Sequence, residues 1–330
     1  MPDPQLLALD TGGTMTDSFI IDDAGDYTIG KAQTTPDNEA DGVLASFDDG
    51  LGYWDTTLEE RIDALQGIIY SGTATINRIL EREGNDDIGV LTNRGLEDMH
   101  RFGRGIQCWI DLPYAGRLHA REHEHPEPIV PKEQIRGVGG RVDIEGDEVG
   151  ALNETEVREG VEDLLDQGLD IICVCFLFSW QNDEHEQRAK EIAEEVKAEQ
   201  GADAEIWLSS EQSPVSGETP RLNTLLLEAY AIEPSRAQLQ NIERELQNLG
   251  ADASLRVLTS SGGTVSPDHE WLVDTMISGP IGGVYGGNYL ADYLGIDNLV
   301  CSDVGGTSFD VALITDGHYS TRWDQSISKF

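Results

Sequence analysis

Cations are what this sequence has least of. It holds 22 lysines and arginines against 62 aspartates and glutamates, a formal charge of −40. A surface of that sign repels phosphate backbones and anionic headgroups, which excludes nucleic acid and membrane surfaces as partners. Cysteine is also scarce. Cys108, Cys173, Cys175 and Cys301 are scattered and form neither a disulfide framework nor a zinc pattern. Cys173 and Cys175 stand two apart in an apolar run, so they belong to one face of a buried strand. No apolar stretch reaches the ~18 residues of a membrane span, and no signal peptide opens the chain. These absences predict a cytoplasmic protein. There is no G-x-S-x-G elbow, no Walker-type loop and no Rossmann fingerprint.

What is present is regular. Hydrophobic residues make up 38% of the chain and recur in periodic runs, which excludes disorder. Its 330 residues predict two domains. The acidic residues are dispersed over helix faces, as at Glu154, Glu156 and Glu159 or Glu184 and Glu186. That dispersion predicts a salt-adapted organism, in which screening removes the self-repulsion.

One phrase occurs twice. Asp10-Thr11-Gly12-Gly13-Thr14-Met15-Thr16-Asp17 and Asp303-Val304-Gly305-Gly306-Thr307-Ser308-Phe309-Asp310 both fit D-x-G-G-T-x-x-D. Each lies between two apolar runs, so each reads as strand, Gly-Gly turn and returning strand. Paired glycines permit a positive φ and bring bare N–H groups close to an anion. Thr14 and Thr307 add hydroxyl donors. Asp10 and Asp303 would repel phosphate unless Mg²⁺ lay between, and magnesium takes one or two carboxylates plus phosphate oxygens. A single copy is as readily an ordinary hairpin. Two copies in matched context predict a nucleotide site with Asp10 and Asp303 as metal ligands.

Along the chain, strands are predicted at 6–9, 18–21, 27–31, 68–70, 88–91, 171–178, 205–208 and 255–258. Helices are predicted at about 37–50, 76–82, 154–167, 183–199, 222–230 and 234–249, with another after Gly95 to about Phe102. Residues 103–140 read as an irregular excursion, and 276–294 as a Gly-rich approach followed by a helix. This alternation argues an α/β protein with helices on both sheet faces. The second hairpin begins at residue 299, so the second lobe is expected to be incomplete, with an uncovered apolar face. The corresponding partition is 1–298 and 299–330.

The two hairpins resemble the phosphate-1 and phosphate-2 loops of the actin, sugar-kinase and chaperone ATPase superfamily, whose fold is ribonuclease H-like. Ser278 to Gly287 sits where that superfamily has a connecting helix. The chain more closely resembles the hydantoinase A/5-oxoprolinase family, through Asp10 to Asp17, Ser71 to Asn77, Thr92 to Gly95, Ser261 to Gly263 and Ser278 to Gly287. Gly30 to Gln33, Arg117 to His119 with His123, Val174 to Leu177, Glu228 to Tyr230, Glu233 to Arg236 and Cys301 to Asp310 point to its acetone-carboxylase branch.

The resemblance implies ATP-dependent activation of a carbonyl compound by phosphoryl transfer, with Mg²⁺ (or Mn²⁺) as the metal and a companion hydantoinase B-like or carboxylase subunit. It implies catalytic roles for Asp10, Asp303, Thr14 and Thr307. Cofactor contacts fall to Gly12, Gly13, Thr16, Asp17, Gly305, Gly306, Ser308, Asp310, Gly279, Gly282 and Gly283. Asp17 and Asp310 either orient the loops or only cap the hairpins.

The substrate reads as a ketone with bicarbonate, or as a cyclic amide. A third reading is a non-catalytic nucleotide-binding assembly subunit. Thr73, Thr75 and Asn77 lie in a polar turn at a strand end, where ligands bind in α/β sheets. Arg94 and Arg104 stand out as scarce cations, for bicarbonate or a transferred phosphoryl group or for surface salt bridges. His119, His123 and His125 form either a metal cluster or a solvent-facing loop, the latter favoured by the prolines around them.

Overall fold

The computed structural model describes residues 3–35, 38–101, 108–109, 112–124, 127–305 and 309–320. These pack as two units, residues 3–84 with 231–320 and residues 85–230. That division cuts across the partition at residue 298 drawn from the motifs.

The first unit opens with a meander of β1 (Pro4–Thr11), β2 (Met15–Asp22) and β3 (Tyr27–Gln33). Asp22 builds the second turn. Its Oδ1 accepts from the amides of Ala24 and Asp26 at 2.9 and 2.8 Å, and Gly25 takes φ +87°. Helix α1 (Glu39–Gly52) buries Val43, Phe47 and Leu51, one residue per turn on the same side. After the short helix α2 (Leu58–Arg61), strand β4 (Gly67–Gly72) pairs in parallel with β1, and α3 (Ala74–Glu81) leaves its tip.

The second unit runs through β5 (Ile88–Asn93), the short helix α4 (Tyr114–Arg117), β6 (Ile135–Val138) and a small hairpin of β7 (Arg141–Val142) and β8 (Glu148–Gly150). Then follow α5 (Glu154–Asp166), β9 (Ile171–Cys175), α6 (Glu184–Gln200), β10 (Glu205–Leu208), the short helix α7 (Ser209–Gln212) and α8 (Glu218–Leu227). Its sheet, in the order β10-β9-β5-β6, is parallel throughout. Every residue of β5 and β9 is buried, as a parallel sheet covered on both faces requires. Leu91, Val161, Leu164, Ile172, Val174 and Ile192 form its core.

Buried Glu186 and Arg221 tie the ends of β9 and β10. Glu186 accepts from Phe176 N, Ser179 Oγ, Ser209 Oγ and Ser210 N at 2.6 to 2.9 Å. Arg221 donates to Ser179 Oγ at 2.5 Å and to Phe176 O at 2.7 Å.

A π-helical turn, Glu228–Ile232, leads into α9 (Glu233–Asn248) and back to the first unit. There β11 (Leu255–Leu258) and β12 (Thr264–Val265) complete a six-stranded sheet, β12-β11-β4-β1-β2-β3. Strands β1, β4 and β11 are parallel and the rest antiparallel. Helix α10 (Ser278–Leu294) follows, and then the hairpin β13 (Leu299–Val304) and β14 (Phe309–Ile314). Val300, Val304, Phe309, Val311 and Leu313 project from one face of this hairpin and are exposed. The other face meets α10, where Gly287 lies against Cys301, Leu299 and Ile314.

Four expectations are corrected. The stretch after Gly95 is not an α-helix. Gly95 takes φ +90°, and Leu96 to Arg101 close i→i+3 bonds that reach only a 3₁₀ turn at Met99–Arg101. The excursion at 103–140 contains β6, whose four residues between Pro131 and Gly139 are too few to show an alternation. Strand β9 stops at Cys175, because the Phe176 carbonyl turns to Arg221. The glycines from Gly279 to Gly287 lie inside α10 rather than before it, since the packing of the helix holds them there. Among the described residues, no helix is long and apolar enough to cross a membrane.

Candidate functional site

The first hairpin closes tightly. Asp10 pairs in register with Asp17 and Thr11 with Thr16, and Gly12 N donates to Met15 O at 2.9 Å. The left-handed backbone expected at Gly12 is not present. Glycine is favoured there by crowding, because a Cβ would stand 3.3 Å from Met15 O.

Thr34, which the motif did not point to, buttresses the loop. Its Oγ1 donates to Gly12 O at 2.7 Å and meets Thr16 Oγ1 at 3.0 Å, and its amide donates to Thr14 O at 3.0 Å. Thr16 is buried in this support, while Thr14 and Gly13 face solvent. The only hint in the sequence was a polar residue directly after β3, beside the family segment Gly30 to Gln33.

Asp10 ends β1 beside the tip of β4, and Ser71 Oγ lies 3.2 Å from its Oδ1. The side chain opens to solvent, yet protein crowds it on the other sides. That burial raises its carboxyl above the ordinary aspartate range. The Ser71 hydrogen bond opposes the rise, Asp303 and Asp17 add to it, and Lys31 lowers it. Asp17 is paired with Lys31 Nζ at 2.5 Å. The second hairpin repeats the first, with Asp303 opposite Asp310 and Val304 opposite Phe309. Asp303 and Gly305 are exposed. Gly306, Thr307, Ser308, Arg104 and His125 lie outside the described residues.

The start of α10 completes the surroundings of Asp10. A Cβ on Gly279 would stand 3.2 Å from Asp10 Oδ1 and 3.6 Å from Thr73 Cγ2, so only glycine lets the helix start come this close. Gly282 lies against Leu258 of β11, and Gly283 has open space beside it. Thr73 N donates to Thr11 O at 3.1 Å, which ties the start of α3 to the loop. Thr75 reaches Ser235 instead, at 3.2 Å, while Asn77 is half-buried on α3. Arg94 belongs to the other unit and pairs with Glu156, whose carboxyl that guanidinium holds low. His123 Nε2 lies 3.1 Å from Arg117 O, and no metal-holding group of three or more His, Cys, Asp or Glu occurs among the described residues.

The donor set therefore suits a magnesium–phosphate group. Two carboxylates stand at matching positions of two hairpins, Asp303 adds to the rise of the Asp10 carboxyl, and Lys31, which opposes that rise, is paired with Asp17. A hard cation shared with phosphate oxygens would relieve that repulsion.

Residues 6–197 match the family described as the hydantoinase/oxoprolinase N-terminal region, and 221–330 match hydantoinase/oxoprolinase. The chain is 42% identical to the acetone carboxylase beta subunit of Xanthobacter autotrophicus, over 98% of this chain and 45% of that one. It is 34% identical to the acetophenone carboxylase gamma subunit of Aromatoleum aromaticum, over 93% and 42%. A nucleotide-free acetone carboxylase structure superposes with a TM-score of 0.90, covering all of this chain and 46% of that one. The ATP-dependent caprolactamase from Pseudomonas jessenii gives 0.75 at 28% identity, covering 93% and 43%. The chain thus spans less than half the length of these relatives. Its fold is theirs, of the actin-like ATPase type, and it belongs to the hydantoinase/oxoprolinase family.

Proposed function

We propose that this chain is the nucleotide-handling part of an ATP-dependent enzyme that activates a ketone for carboxylation. One observation carries the reading. Asp10 and Asp303 stand at the same position of two D-x-G-G-T hairpins, near the end of the first strand and paired in register with Asp17 and Asp310. Bound Mg²⁺ would supply charge neutralisation and a template for the phosphates. Asp10 and Asp303 would hold it directly or through water. The amides of Gly12, Gly13, Gly305 and Gly306 and the hydroxyls of Thr14 and Thr307 would bind and orient phosphate oxygens. Phosphoryl transfer asks for positioning and charge neutralisation rather than a protein nucleophile, and these groups provide both.

The likeness to carboxylase subunits favours a ketone with bicarbonate and a companion subunit. A second reading, hydrolysis of a cyclic amide, is favoured by the 27% identity to the caprolactamase alpha subunit over 98% of this chain. The charge of −40 supports work in a salt-adapted cytoplasm, with neither nucleic acid nor membrane as partner.

ATP hydrolysis by the protein with its companion subunit distinguishes the two substrates. Stimulation by ketone plus bicarbonate, and not by lactams or hydantoins, is the expected result. Stimulation by a cyclic amide alone would overturn the ketone assignment.

A further inference from the structure

At the end of β4, beside the starts of α3 and α10, lies a small cavity of about 20 Å³, which is room for a water. Glu39, Tyr70, Gly72, Thr75, Ser235, Gln238 and Ser278 contribute to its lining. Two of these are buried ionisable groups that the proposed chemistry does not use. Glu39 is 6% exposed and Tyr70 5%, and Tyr70 Oη donates to Glu39 Oε2 at 3.0 Å. The second Glu39 oxygen has no protein hydrogen bond among the described residues.

Holding a carboxyl this buried costs stability. An amide of the same shape would cost less, so this choice of residue asks for a reason. The titratable and charged groups facing Glu39 are Tyr70 on β4 and Arg78 on α3. From α9, β11 and the approach to α10, only uncharged residues line the cavity: Ser235, Gln238, Leu239, Val257, Thr275 and Ser278.

The reason lies two residues along β4. Tyr70 and Gly72 share a face of the strand, and a Cβ on Gly72 would stand 2.7 Å from Tyr70 Oη. The phenol therefore rests on the bare backbone of Gly72. That backbone in turn holds α10, because Gly72 N donates to Ser278 Oγ at 3.2 Å and Ser278 Oγ lies 3.4 Å from Gly72 O. The next residue, Gly279, is the one against Asp10. A continuous path thus runs from Glu39 through Tyr70, Gly72 and Ser278 to the metal-binding carboxylate.

We infer that Glu39 and Tyr70 are positioning residues, a strut that sets the start of α10 against Asp10 and so tunes metal–nucleotide binding. The inference rests on the nucleotide reading above. Burial raises the Glu39 carboxyl, opposed by the Tyr70 hydrogen bond and Arg78, and burial keeps Tyr70 a neutral phenol that donates. The strut is therefore strongest when Glu39 is ionised.

The test combines calorimetry of Mg²⁺–ATP binding across pH with amide hydrogen exchange at Gly72. It compares the wild type with Glu39→Gln, Glu39→Ala, Tyr70→Phe and Gly72→Ala. Glu39→Ala, Tyr70→Phe and Gly72→Ala are expected to bind about tenfold more weakly, the usual scale for outer-sphere partners of a metal site. The Gly72 amide should exchange faster in Glu39→Ala and Tyr70→Phe. Glu39→Gln, which can still accept from Tyr70, should recover most of the affinity and keep the acid-side fall in binding that Asp10 imposes, without the part that Glu39 adds to it in the wild type. Wild-type binding, pH dependence and exchange in Glu39→Ala and Tyr70→Phe would overturn the inference and leave the nucleotide site standing. Absence of binding by the wild type would overturn the nucleotide reading, and Gly72 exchange would then decide the strut alone.

Discussion

At the scale of single residues, two carboxyls carry the pH behaviour. Asp10 and Glu39 both titrate above the ordinary carboxylate range because burial disfavours their charged forms. A carboxyl raised in this way binds its proton more tightly in the folded state. Its contribution to stability therefore falls as pH rises from the unfolded value through the raised one. Ionised Glu39 burdens the fold at neutral pH, so Glu39→Gln should melt higher there, and the gain should vanish near pH 4. A gain of 1 kcal/mol corresponds to roughly 2–4 °C in a chain of this size class. Asp10→Asn should likewise raise the melting temperature without ligand, while abolishing stabilisation by Mg²⁺–ATP. Thermal denaturation at pH 4 and pH 7 checks both. The cysteines contribute no such switch in the core, since burial pushes the Cys175 thiol up to about 12 and the Cys173 thiol higher still.

At the scale of elements, α10 depends on close approach. A Cβ on Gly287 would collide with Cys301 Sγ of β13. Gly287→Ala should cost about 1–3 kcal/mol, the usual penalty of overpacking, and Cys301→Ala should return part of it. A double-mutant cycle in urea measures that coupling.

This same element marks how far the sequence could be read. Strands with clear runs, such as Glu205–Leu208 and Leu255–Leu258, have the predicted bounds, because local alternation and burial coincide in them. The glycines of α10 do not announce a helix, since their reason for being there is the Cys301 and Asp10 atoms they make room for. The two hairpins that carry Asp10 and Asp303 were legible from the repeat. Thr34 and the Glu39–Tyr70 pair were not, because each acts through a partner distant in sequence, as Thr34 does through Gly12 and Glu39 through Tyr70.

At the scale of the whole molecule, a charge of −40 is set against ion pairs that, among the described residues, are mostly exposed, such as Lys31–Asp17 and Lys132–Asp98. Exposed pairs of this kind add little stability. Salt should stabilise the fold by screening like charges, as the Debye length shrinks from about 10 Å at 0.1 M to about 3 Å at 1 M. The melting temperature is therefore expected to climb steadily with KCl into the molar range. A flat or falling curve would remove the case for salt adaptation.

The central claim is that two hairpins jointly hold a magnesium-bound nucleotide. Calorimetric titration of Mg²⁺–ATP in multimolar KCl, on the wild type, Asp10→Ala and Asp303→Ala, tests it most directly. The account predicts micromolar binding that disappears in both variants. Binding that survives either substitution, or a folded wild type that does not bind, would contradict it.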